Sequence, residues 1–241
     1  MGAVGTDVEV SVVIPAYNEE KNIYRALKEI GAYFGGKGTR AEYIVVDDGS
    51  RDGTLEESRK AARALGLPVS ILESAHEGKG SAVRRGMLQA RGERVLFCDA
   101  DMATPIEEFE KFERVLDTGA DVVIGSRKTR GAQILKRQPI LREWLGRGFT
   151  AITNLLLGVR VSDVTCGFKC FQRHAIQPLF SRQRLSDWSF DAEILYLAAR
   201  MGFKVREVPV RWRDSGVTHV RLMRDIVGSL VGLVKIRILH P

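Results

Sequence analysis

Two aspartates separated by one residue, Asp99 and Asp101, directly follow the apolar segment Arg94–Cys98. Carboxylates at this spacing suit one shared divalent cation, and Mg2+ in particular is often held by one or two carboxylates together with substrate phosphates. The plain alternative is a turn with two solvated acids. Because the pair leaves a predicted strand, the sequence favours a site for Mg2+ or Mn2+ at Asp99 and Asp101.

The same Asp-x-Asp pattern occurs in phosphotransferases that use the first aspartate as a covalent nucleophile. Those enzymes carry Thr or Val at the fifth position of the motif, where this chain has Ala103. The difference weakens a nucleophilic role for Asp99 and leaves an aspartyl phosphotransferase as an alternative interpretation of the motif.

Two more polar turns follow predicted strands, Pro15–Glu19 after the first and Asp47–Ser50 after the second. In open parallel sheets, ligands bind beyond the carboxyl ends of the strands. We therefore expect both turns to meet the Asp99–Asp101 pair at one edge of the sheet.

A glycine-flanked lysine, Lys79, precedes another predicted helix. The N-terminus of a helix suits an anion. The segment Gly78–Ser81 lacks the earlier glycine of a P-loop and does not directly follow a strand, so neither the P-loop nor the dinucleotide fingerprint fits. An ordinary loop leading into a helix explains Lys79 equally well when this segment is taken alone.

The elements that must position these residues alternate between strand and helix. Apolar, β-branched runs predict strands at Val8–Ile14, Tyr43–Val46, Val69–Leu72, Arg94–Cys98 and Val122–Ile124. Helical signals predict a helix after Asn18 as its cap, one from a capping box at Thr54 to Leu65, one over Lys79–Arg91 and one over Ile106–Leu116. Alternation of this kind predicts an α/β fold, a mostly parallel sheet with helices on both faces.

The charge is divided between the two halves of the chain. Residues 1–126 carry 16 Lys and Arg against 22 Asp and Glu, whereas residues 127–241 carry 21 against 8. The acidic half suits a metal, and the basic half suits phosphate, an anionic membrane or nucleic acid. The bases are scattered and no nucleic-acid-binding signature occurs, so we expect no nucleic-acid partner.

The cysteines and the hydropathy indicate the compartment. Three cysteines are too few for a disulfide scaffold and indicate a reducing compartment. The first residues do not resemble a signal peptide, and no run of about 18 uncharged apolar residues occurs. We expect a cytoplasmic protein, peripheral on the cytosolic face of a membrane.

Taken together, these motifs resemble family 2 glycosyltransferases of the GT-A fold. The first half matches in the segments VVIPAYNEE (12–20), IVVDDGSRDGT (44–54), GKGSA (78–82), Asp-Ala-Asp (99–101) and Gly-Ser-Arg (125–127). In the second half, DVTCGFKCF (163–171) and WSFDAEILY (188–196) resemble the dolichyl- or polyprenyl-phosphate hexosyltransferases, nearest to the glucosyl group. The resemblance implies one GT-A domain over 1–241, with 1–126 as the nucleotide-sugar and metal half and 127–241 as the acceptor and membrane half.

The resemblance also implies roles for single residues. The implied nucleotide-sugar site consists of Pro15, Ala16, Tyr17, Glu19, Asp47, Asp48, Lys79, Asp99, Ala100 and Asp101. The implied catalytic residues are Asp101, Arg127 and Arg142. The implied acceptor-phosphate residues are Arg127, Arg142, Arg147 and His219.

Two positions depart from the family's pattern. Ala103 stands where the mannosyl relatives often place a Gln that ligates the metal, and Thr218-His219 stands where the relatives tend to have Ser-Lys. The first departure favours the glucosyl group. The second replaces a permanent cation by a side chain that titrates near neutrality, which puts the acceptor role of His219 in doubt.

The implied reaction is inverting, metal-dependent transfer of a hexose from a nucleotide diphosphate sugar to a dolichyl or polyprenyl phosphate. Glucose from UDP-glucose is favoured, and mannose from GDP-mannose is the alternative. A non-catalytic membrane adaptor that retains the fold is the non-enzymatic alternative.

Several second-half residues also have simple structural explanations. Arg147 is spaced to pair with Glu143, and Asp191 and Glu193 are spaced as first-turn acids of a helix. The tryptophans, at 144, 188 and 212, are most simply explained by packing.

The last segment predicts a basic amphipathic helix. Its apolar stripe is Met223, Val227, Leu230, Val234 and Ile238, and the basic residues outside the stripe are Arg221, Arg224, Lys235 and Arg237. Such a helix lies on an anionic membrane or packs on the sheet, and periodicity alone does not choose between them. Leu141–Leu157 is a second candidate of this type. Attachment through a membrane-protein partner or a homo-oligomer is the alternative to direct contact with lipid.

Overall fold

The computed structural model describes residues 7–216 and 222–241, and for residues 222–227 it describes the backbone alone. The predicted acceptor residue His219 and the basic residue Arg221 lie outside the described residues. The side chains of Met223, Arg224 and Val227 lie outside them as well.

The first half of the chain alternates strands and helices, as the hydropathy pattern predicts. Its elements in chain order are β1 (Val10–Ala16), α1 (Ile23–Gly36), β2 (Ala41–Asp47), α2 (Thr54–Leu65), β3 (Val69–Glu73), α3 (Lys79–Gln89), β4 (Arg94–Cys98), α4 (Phe109–Asp117, after a 3-10 turn at Ile106–Glu108) and β5 (Val122–Ser126).

The second half adds helices and short strands. Its elements in chain order are β6 (Gln133–Lys136), α5 (Ile140–Leu157), β7 (Phe168–Gln172), α6 (Arg173–Phe180), α7 (Phe190–Arg200), β8 (Val205–Pro209), β9 (Arg211–Arg213) and α8 (Leu222–Leu239).

One seven-stranded sheet joins the two halves, in the order β3-β2-β1-β4-β7-β5-β8. Neighbouring strands are parallel except at β7, which is antiparallel to both β4 and β5. Strands β6 and β9 form a separate parallel pair. The predicted fold class is confirmed, since the sheet is mostly parallel and mixed with helices.

A hydrophobic core lies on each face of the sheet. Along β1, Val12 and Ile14 belong to the core that α1 and α4 cover, while Val13 belongs to the core that α3, α6 and α7 cover. The alternation follows from the two-residue period of a strand. Because both faces are covered, the strands are nearly continuous apolar runs, as is typical of buried parallel strands.

Two predicted helix caps are wrong. Asn18 has a φ of 55° and lies before the helix, where its Oδ1 accepts a hydrogen bond from the Arg51 amide, whereas α1 begins after Asn22. Thr54 is the first residue of α2 rather than its cap, and its hydroxyl accepts from the Glu19 amide at 2.7 Å. In both cases the polar side chain bonds a distant part of the chain instead of its own helix.

The first strand runs two residues further than predicted at its carboxyl end, through Pro15 to Ala16. The Ala16 carbonyl accepts a hydrogen bond from the Asp48 amide at 2.9 Å, which keeps β1 paired beyond the proline. This contact places the turn after β1 beside the turn after β2.

Helix α3 approaches the sheet closely at Gly86. A Cβ atom at this position would lie 2.4 Å from Val13 Cγ1 and 3.0 Å from Val46 Cγ2. We expect Gly86→Ala to lower the free energy of unfolding by about 1–3 kcal/mol, because extra volume in a packed core forces the backbone to shift.

Urea unfolding at pH 7 measures this change, with Gly35→Ala as the matched control. Gly35 lies on the exposed face of α1, and a Cβ there meets nothing within 4 Å. The control should gain about 0.5–1 kcal/mol, since alanine favours the helix over glycine. Equal effects at the two positions would contradict the close approach of α3 to the sheet.

Candidate active site

A cavity of about 500 Å³ lies at the edge of the sheet where β1 and β4 end. Most of the residues that the sequence singled out line its wall. They are Pro15, Ala16, Tyr17, Glu19, Asp48, Lys79, Asp99, Ala100, Asp101, Arg127, Arg142 and Arg147. Asp47 is buried behind this wall rather than in it, and His219 is outside the described residues.

The carboxylate pair forms the floor of the cavity at the end of β4. Asp99 is tied to the second half of the chain, because its amide donates to the Gly167 carbonyl at 3.2 Å. Asp101 Oδ1 accepts from the Ala103 amide at 3.0 Å, which fixes this side chain against its own turn. The two acids therefore reach the cavity from a fixed backbone.

The pair fits a divalent cation in its donor chemistry. Burial raises the pKa of Asp101, and the like charge of Asp99 raises it further, a cost that a bound cation would relieve. In residues 7–216 and 222–241, however, no group of three His, Cys, Asp or Glu side chains is arranged to hold a metal. Asp99 and Asp101 would thus supply only part of a coordination shell, and water or phosphate oxygens would complete it.

Lys79 enters the cavity from the first turn of α3. Its Nζ lies 2.6 Å from Asp99 Oδ1, and it also lies over the rings of Trp188 at 4.9 Å and Phe97 at 5.5 Å. Burial opposes the charge of Lys79, but the carboxylates of Asp99 and Asp191 outweigh it and raise the pKa of the ammonium. Lys79 is therefore a fixed positive charge next to the carboxylate pair.

The turns after β1 and β2 form a second wall. Tyr17 stacks on His76, with ring centroids 4.0 Å apart, and His76 Nδ1 lies 2.9 Å from Asp48 Oδ2. The amides of Glu77 and Gly78 donate to the two oxygens of Asp48 at 2.8 and 2.9 Å. Asp48 thus anchors the loop that leads into α3 and Lys79.

Asp47 supports this wall from behind. Its Oδ2 accepts from the Ser50 amide at 3.1 Å, whereas its buried Oδ1 has no hydrogen-bond partner within the described chain. Glu19 is held at the start of α1, where Asn22 Nδ2 donates to its Oε2 at 2.7 Å. Both acids are held by contacts with neighbouring turns, which keeps the wall rigid.

The opposite wall is basic and begins at Arg127, directly after β5. Arg127 donates from Nε to Asp163 Oδ2 at 2.7 Å and from Nη2 to Asp163 Oδ1 at 2.8 Å, and it lies 5.3 Å from the ring centre of Trp212. Burial alone would raise the pKa of Asp163, but Arg127 outweighs it and lowers the pKa to about 2. The pair is therefore charged at neutral pH and fixes the guanidinium at the edge of the cavity.

Helix α5 supplies further basic residues. Arg142 Nη1 lies 4.0 Å from Asp214 Oδ1, and Arg147 Nη2 lies 2.7 Å from Glu143, the pairing that the sequence predicted.

Lys128 connects α5 to the end of β5. It donates hydrogen bonds to the Gly146 carbonyl and to Thr150 Oγ1, both at 3.0 Å. Burial, together with Arg127 and Arg147, lowers the pKa of Lys128 despite the opposite effect of Asp163.

Sequence reasoning missed part of the wall. Trp188 and Trp212 line the cavity instead of serving only as packing, and Lys128 and Asp191 line it too. Asp191 is a first-turn acid of α7 as predicted, but it is buried, and Lys169 Nζ lies 2.6 Å from its Oδ1. A lysine between Phe168 and Cys170 in the apolar strand FKCFQ was the available signal, since a charge in a buried strand needs a partner.

A separate apolar surface lies on α5 and α8, which pack against each other. Of the twelve large hydrophobic side chains exposed in the described residues, ten lie on these two helices. They are Ile140, Leu141, Trp144, Ile152, Leu155 and Leu156 on α5, and Val231, Val234, Ile238 and Leu239 on α8. We call these ten residues the α5/α8 surface.

Helix α8 both packs on the protein and exposes an apolar side. Leu233 and Ile236 are fully buried in the core, whereas Val234 and Ile238 of the predicted stripe are 53% and 71% exposed. In the described part of the chain, no helix is both long and apolar enough to cross a membrane.

The mostly parallel sheet, with its polar residues gathered at the carboxyl edge, defines a doubly wound α/β protein with a ligand site at that edge. The family model described as "Glycosyl transferase family 2" matches residues 11–180. The chain therefore belongs to glycosyl transferase family 2, and the predicted family and enzyme class are confirmed.

Curated relatives carry the glucosyl name that the sequence favoured over the mannosyl one. The chain is 36% identical to "Dolichyl-phosphate beta-glucosyltransferase ALG5C" of Trichomonas vaginalis, over 97% of this chain and 72% of that protein. It is 34% identical to the dolichyl-phosphate beta-glucosyltransferase of Saccharomyces cerevisiae, over 97% and 75%. It is 33% identical to the human protein of that name, over 86% and 68%.

Solved structures share the fold. Glucosyl-3-phosphoglycerate synthase from Mycobacterium tuberculosis in complex with Mn2+, UDP-glucose and glycerol 3-phosphate superposes with a TM-score of 0.66 at 20% identity, over 95% of this chain and 80% of that one. The same enzyme in complex with Mg2+ and UDP superposes with a TM-score of 0.70, over 95% and 79%. At this identity the likeness concerns the fold alone.

The buried Arg127–Asp163 pair gives a stability prediction. We expect Asp163→Asn to lower the free energy of unfolding at pH 7 by about 3–5 kcal/mol, because it leaves a buried guanidinium without its counter-charge. In the folded wild type, the pKa of Asp163 is lowered to about 2, so the ionised carboxylate adds to the free energy of unfolding. This contribution is complete above a pH of about 4, the pKa of the group in the unfolded chain. It is lost as the pH falls from about 4 to 2.

Urea unfolding at pH 7 and at pH 3 measures both effects. The deficit of Asp163→Asn relative to wild type should shrink at pH 3. Asp117→Asn, which removes an exposed partner of Arg94, is the control and should change stability by under about 1 kcal/mol. A deficit that is the same at both pH values would contradict the pKa of Asp163.

Proposed function

We propose that this protein transfers glucose from UDP-glucose to the phosphate of a dolichyl or other polyprenyl phosphate, with inversion at the anomeric carbon and with Mg2+ or Mn2+ at Asp99 and Asp101. The observation that carries the proposal is a single cavity that joins a carboxylate pair to a basic wall. The names of the curated relatives support the lipid acceptor and the glucosyl group. A structural neighbour in complex with Mn2+ and UDP-glucose supports the metal and the donor.

The donor would bind along the first wall. Tyr17 and Asp48 stand at the ends of β1 and β2, where they would contact the nucleoside, and Asp47 supports them. Lys79 would pair with the diphosphate at the N-terminus of α3, where backbone amides also favour an anion. A divalent cation would add its charge beside the departing diphosphate.

The acceptor would bind along the basic wall. The second pKa of a phosphate monoester is near 6, so much of the lipid phosphate is a dianion at pH 7 and needs no strong general base. Arg127 and Arg142 would orient this phosphate, with Arg147 at the rim, in line with the anomeric carbon. A phosphate oxygen forms the new bond to that carbon as the bond to the nucleoside diphosphate breaks, and Lys79 stabilises the charge on the leaving group.

We extend the proposal to the organisation of the chain. Residues 1–241 act as one GT-A domain, in which 1–126 bind the nucleotide sugar and metal and 127–241 bind the acceptor and the membrane. Strand β7 supports this view, because it comes from the second half and lies within the sheet of the first.

The α5/α8 surface is proposed to lie on the cytosolic face of a membrane that holds the acceptor. Its apolar side chains would enter the lipid, and Lys235 and Arg237 of α8, both exposed, would contact anionic headgroups.

Cys98, Cys166 and Cys170 are all free thiols in the structure, which agrees with a reducing compartment.

The donor and acceptor are tested by transfer of radiolabelled sugar to dolichyl phosphate in detergent. We expect lipid-linked label from UDP-glucose with Mn2+ or Mg2+, and its loss with EDTA. Asp101→Asn should lower the rate by about 100-fold or more, a loss typical of removing one electrostatic contact to the transition state, while Asp117→Asn should retain wild-type activity. Label from GDP-mannose instead would establish the mannosyl alternative, and UDP binding with no lipid-linked product would contradict the acceptor.

The membrane surface is tested by flotation with phosphatidylcholine vesicles, with and without phosphatidylserine. Leu155 is 83% exposed, so Leu155→Glu should leave the fold intact and weaken vesicle binding by about tenfold, as expected for the loss of one buried leucine. Met201→Glu, at an exposed methionine just after α7, is the matched control and should bind as wild type does. Equal binding by both variants would instead favour attachment through a membrane protein or a homo-oligomer.

A further inference from the structure

The contact between Lys79 and Asp99 bears on how the protein acquires its cation. Lys79 Nζ lies 2.6 Å from Asp99 Oδ1, the distance of a strong charged hydrogen bond, and the lysine side chain is only 19% exposed. The rings of Trp188 and Phe97 flank the ammonium and limit its movement. One of the two carboxylates of the candidate metal site is thus already bonded to a cation of the protein.

The other carboxylate oxygen of Asp99 packs on the residue before β7. A Cβ atom on Gly167 would lie 1.8 Å from Asp99 Oδ2, which shows that this second oxygen packs directly on the glycine backbone. One carboxylate oxygen therefore faces Lys79, and the other faces Gly167. Lys79 is also close enough to Asp101 to act on its charge, and no third acid in the described residues completes a cluster.

We propose that Lys79 acts as the internal counter-cation of Asp99 that keeps the nucleotide-free protein from binding a divalent cation tightly, and that a nucleoside diphosphate relieves this block by giving Lys79 a second anion. The inference rests on the proposed function for the identity of the diphosphate. Like charges repel strongly at short distance in a partly buried site, so the ammonium lowers the affinity of the carboxylate pair for a second cation. The diphosphate offsets the charge of Lys79 and also supplies the oxygens that the carboxylate pair lacks.

The consequence is mutual. If the diphosphate strengthens cation binding, the cation must strengthen diphosphate binding by the same factor. The cation and the nucleotide would then enter and leave as one unit, and Lys79 would set the strength of the coupling.

Manganese binding to the full chain tests the proposal directly, with the electron paramagnetic resonance signal of free Mn2+ as the readout. Without nucleotide, Lys79→Met should bind Mn2+ at least about tenfold more tightly than wild type, a change of about 1.4 kcal/mol. Lys79→Arg keeps the charge and should remain weak. Lys60→Met, at an exposed lysine of α2, is the matched control and should equal wild type.

The second arm repeats the titrations with saturating UDP. UDP should tighten Mn2+ binding to wild type by at least about tenfold and should have a clearly smaller effect on Lys79→Met. Thermal melting followed by circular dichroism verifies that each variant is folded. If folded Lys79→Met binds Mn2+ no more tightly than wild type does, Lys79 does not weaken cation binding and the proposal is overturned. If UDP does not change the Mn2+ affinity of wild type, the diphosphate does not relieve the effect of Lys79, which also overturns the proposal.

These outcomes are distinct from the fate of the proposed function, because neither arm contains a glucose donor or a lipid acceptor. A protein that shows the coupling but transfers no glucose would contradict the glucosyl transfer alone. Glucosyl transfer without the coupling would contradict the role of Lys79 alone.

Discussion

Strand β7 lies antiparallel between β4 and β5, and this placement is the constraint on which the site depends. The residue before it, Gly167, lies directly against the carboxylate of Asp99, where any larger side chain would overlap. A strand from the second half of the chain therefore packs against the acids of the first half. Gly167 and Thr165, just before this strand, line the cavity together with Asp99.

Charged side chains around the cavity form ion pairs between residues that are distant in the sequence. Arg127 pairs with Asp163, Lys169 with Asp191, and Lys79 with Asp99, each with a separation of 2.6 or 2.7 Å between charged atoms. A buried charge is costly unless it is paired, so these contacts stabilise the walls before any substrate arrives. The proposed reaction brings two phosphorylated substrates together, and cations whose positions are set in advance of the reaction suit it.

The α5/α8 surface is joined closely to the cavity. Helix α8 packs so tightly on the start of α7 that a Cβ on Gly232 would lie 2.0 Å from Ser189 Oγ, and His240 Nε2 lies 2.7 Å from Glu193 of the same helix α7. Helix α7 also carries Asp191, which lines the cavity. Under the proposed function, the acceptor phosphate reacts while its chain stays in the membrane, and this short connection would join the proposed membrane surface to the site.

The sequence by itself determined the five strands of the first half, a mostly parallel sheet and the gathering of Pro15–Glu19 and Asp99–Asp101 at one edge, because two-residue periodicity and turn chemistry are local properties. The four strands of the second half were not predicted. The predictions from the sequence are wrong where contacts between distant residues determine what a side chain does. Asn18 and Thr54 bond across the chain instead of capping helices, and Trp188 lines the cavity instead of serving only as packing. The insertion of β7 and the contact of Lys79 with Asp99 were decided only by the tertiary structure. Both join residues far apart in the chain, and their energies come from pairing and burial that no local pattern encodes.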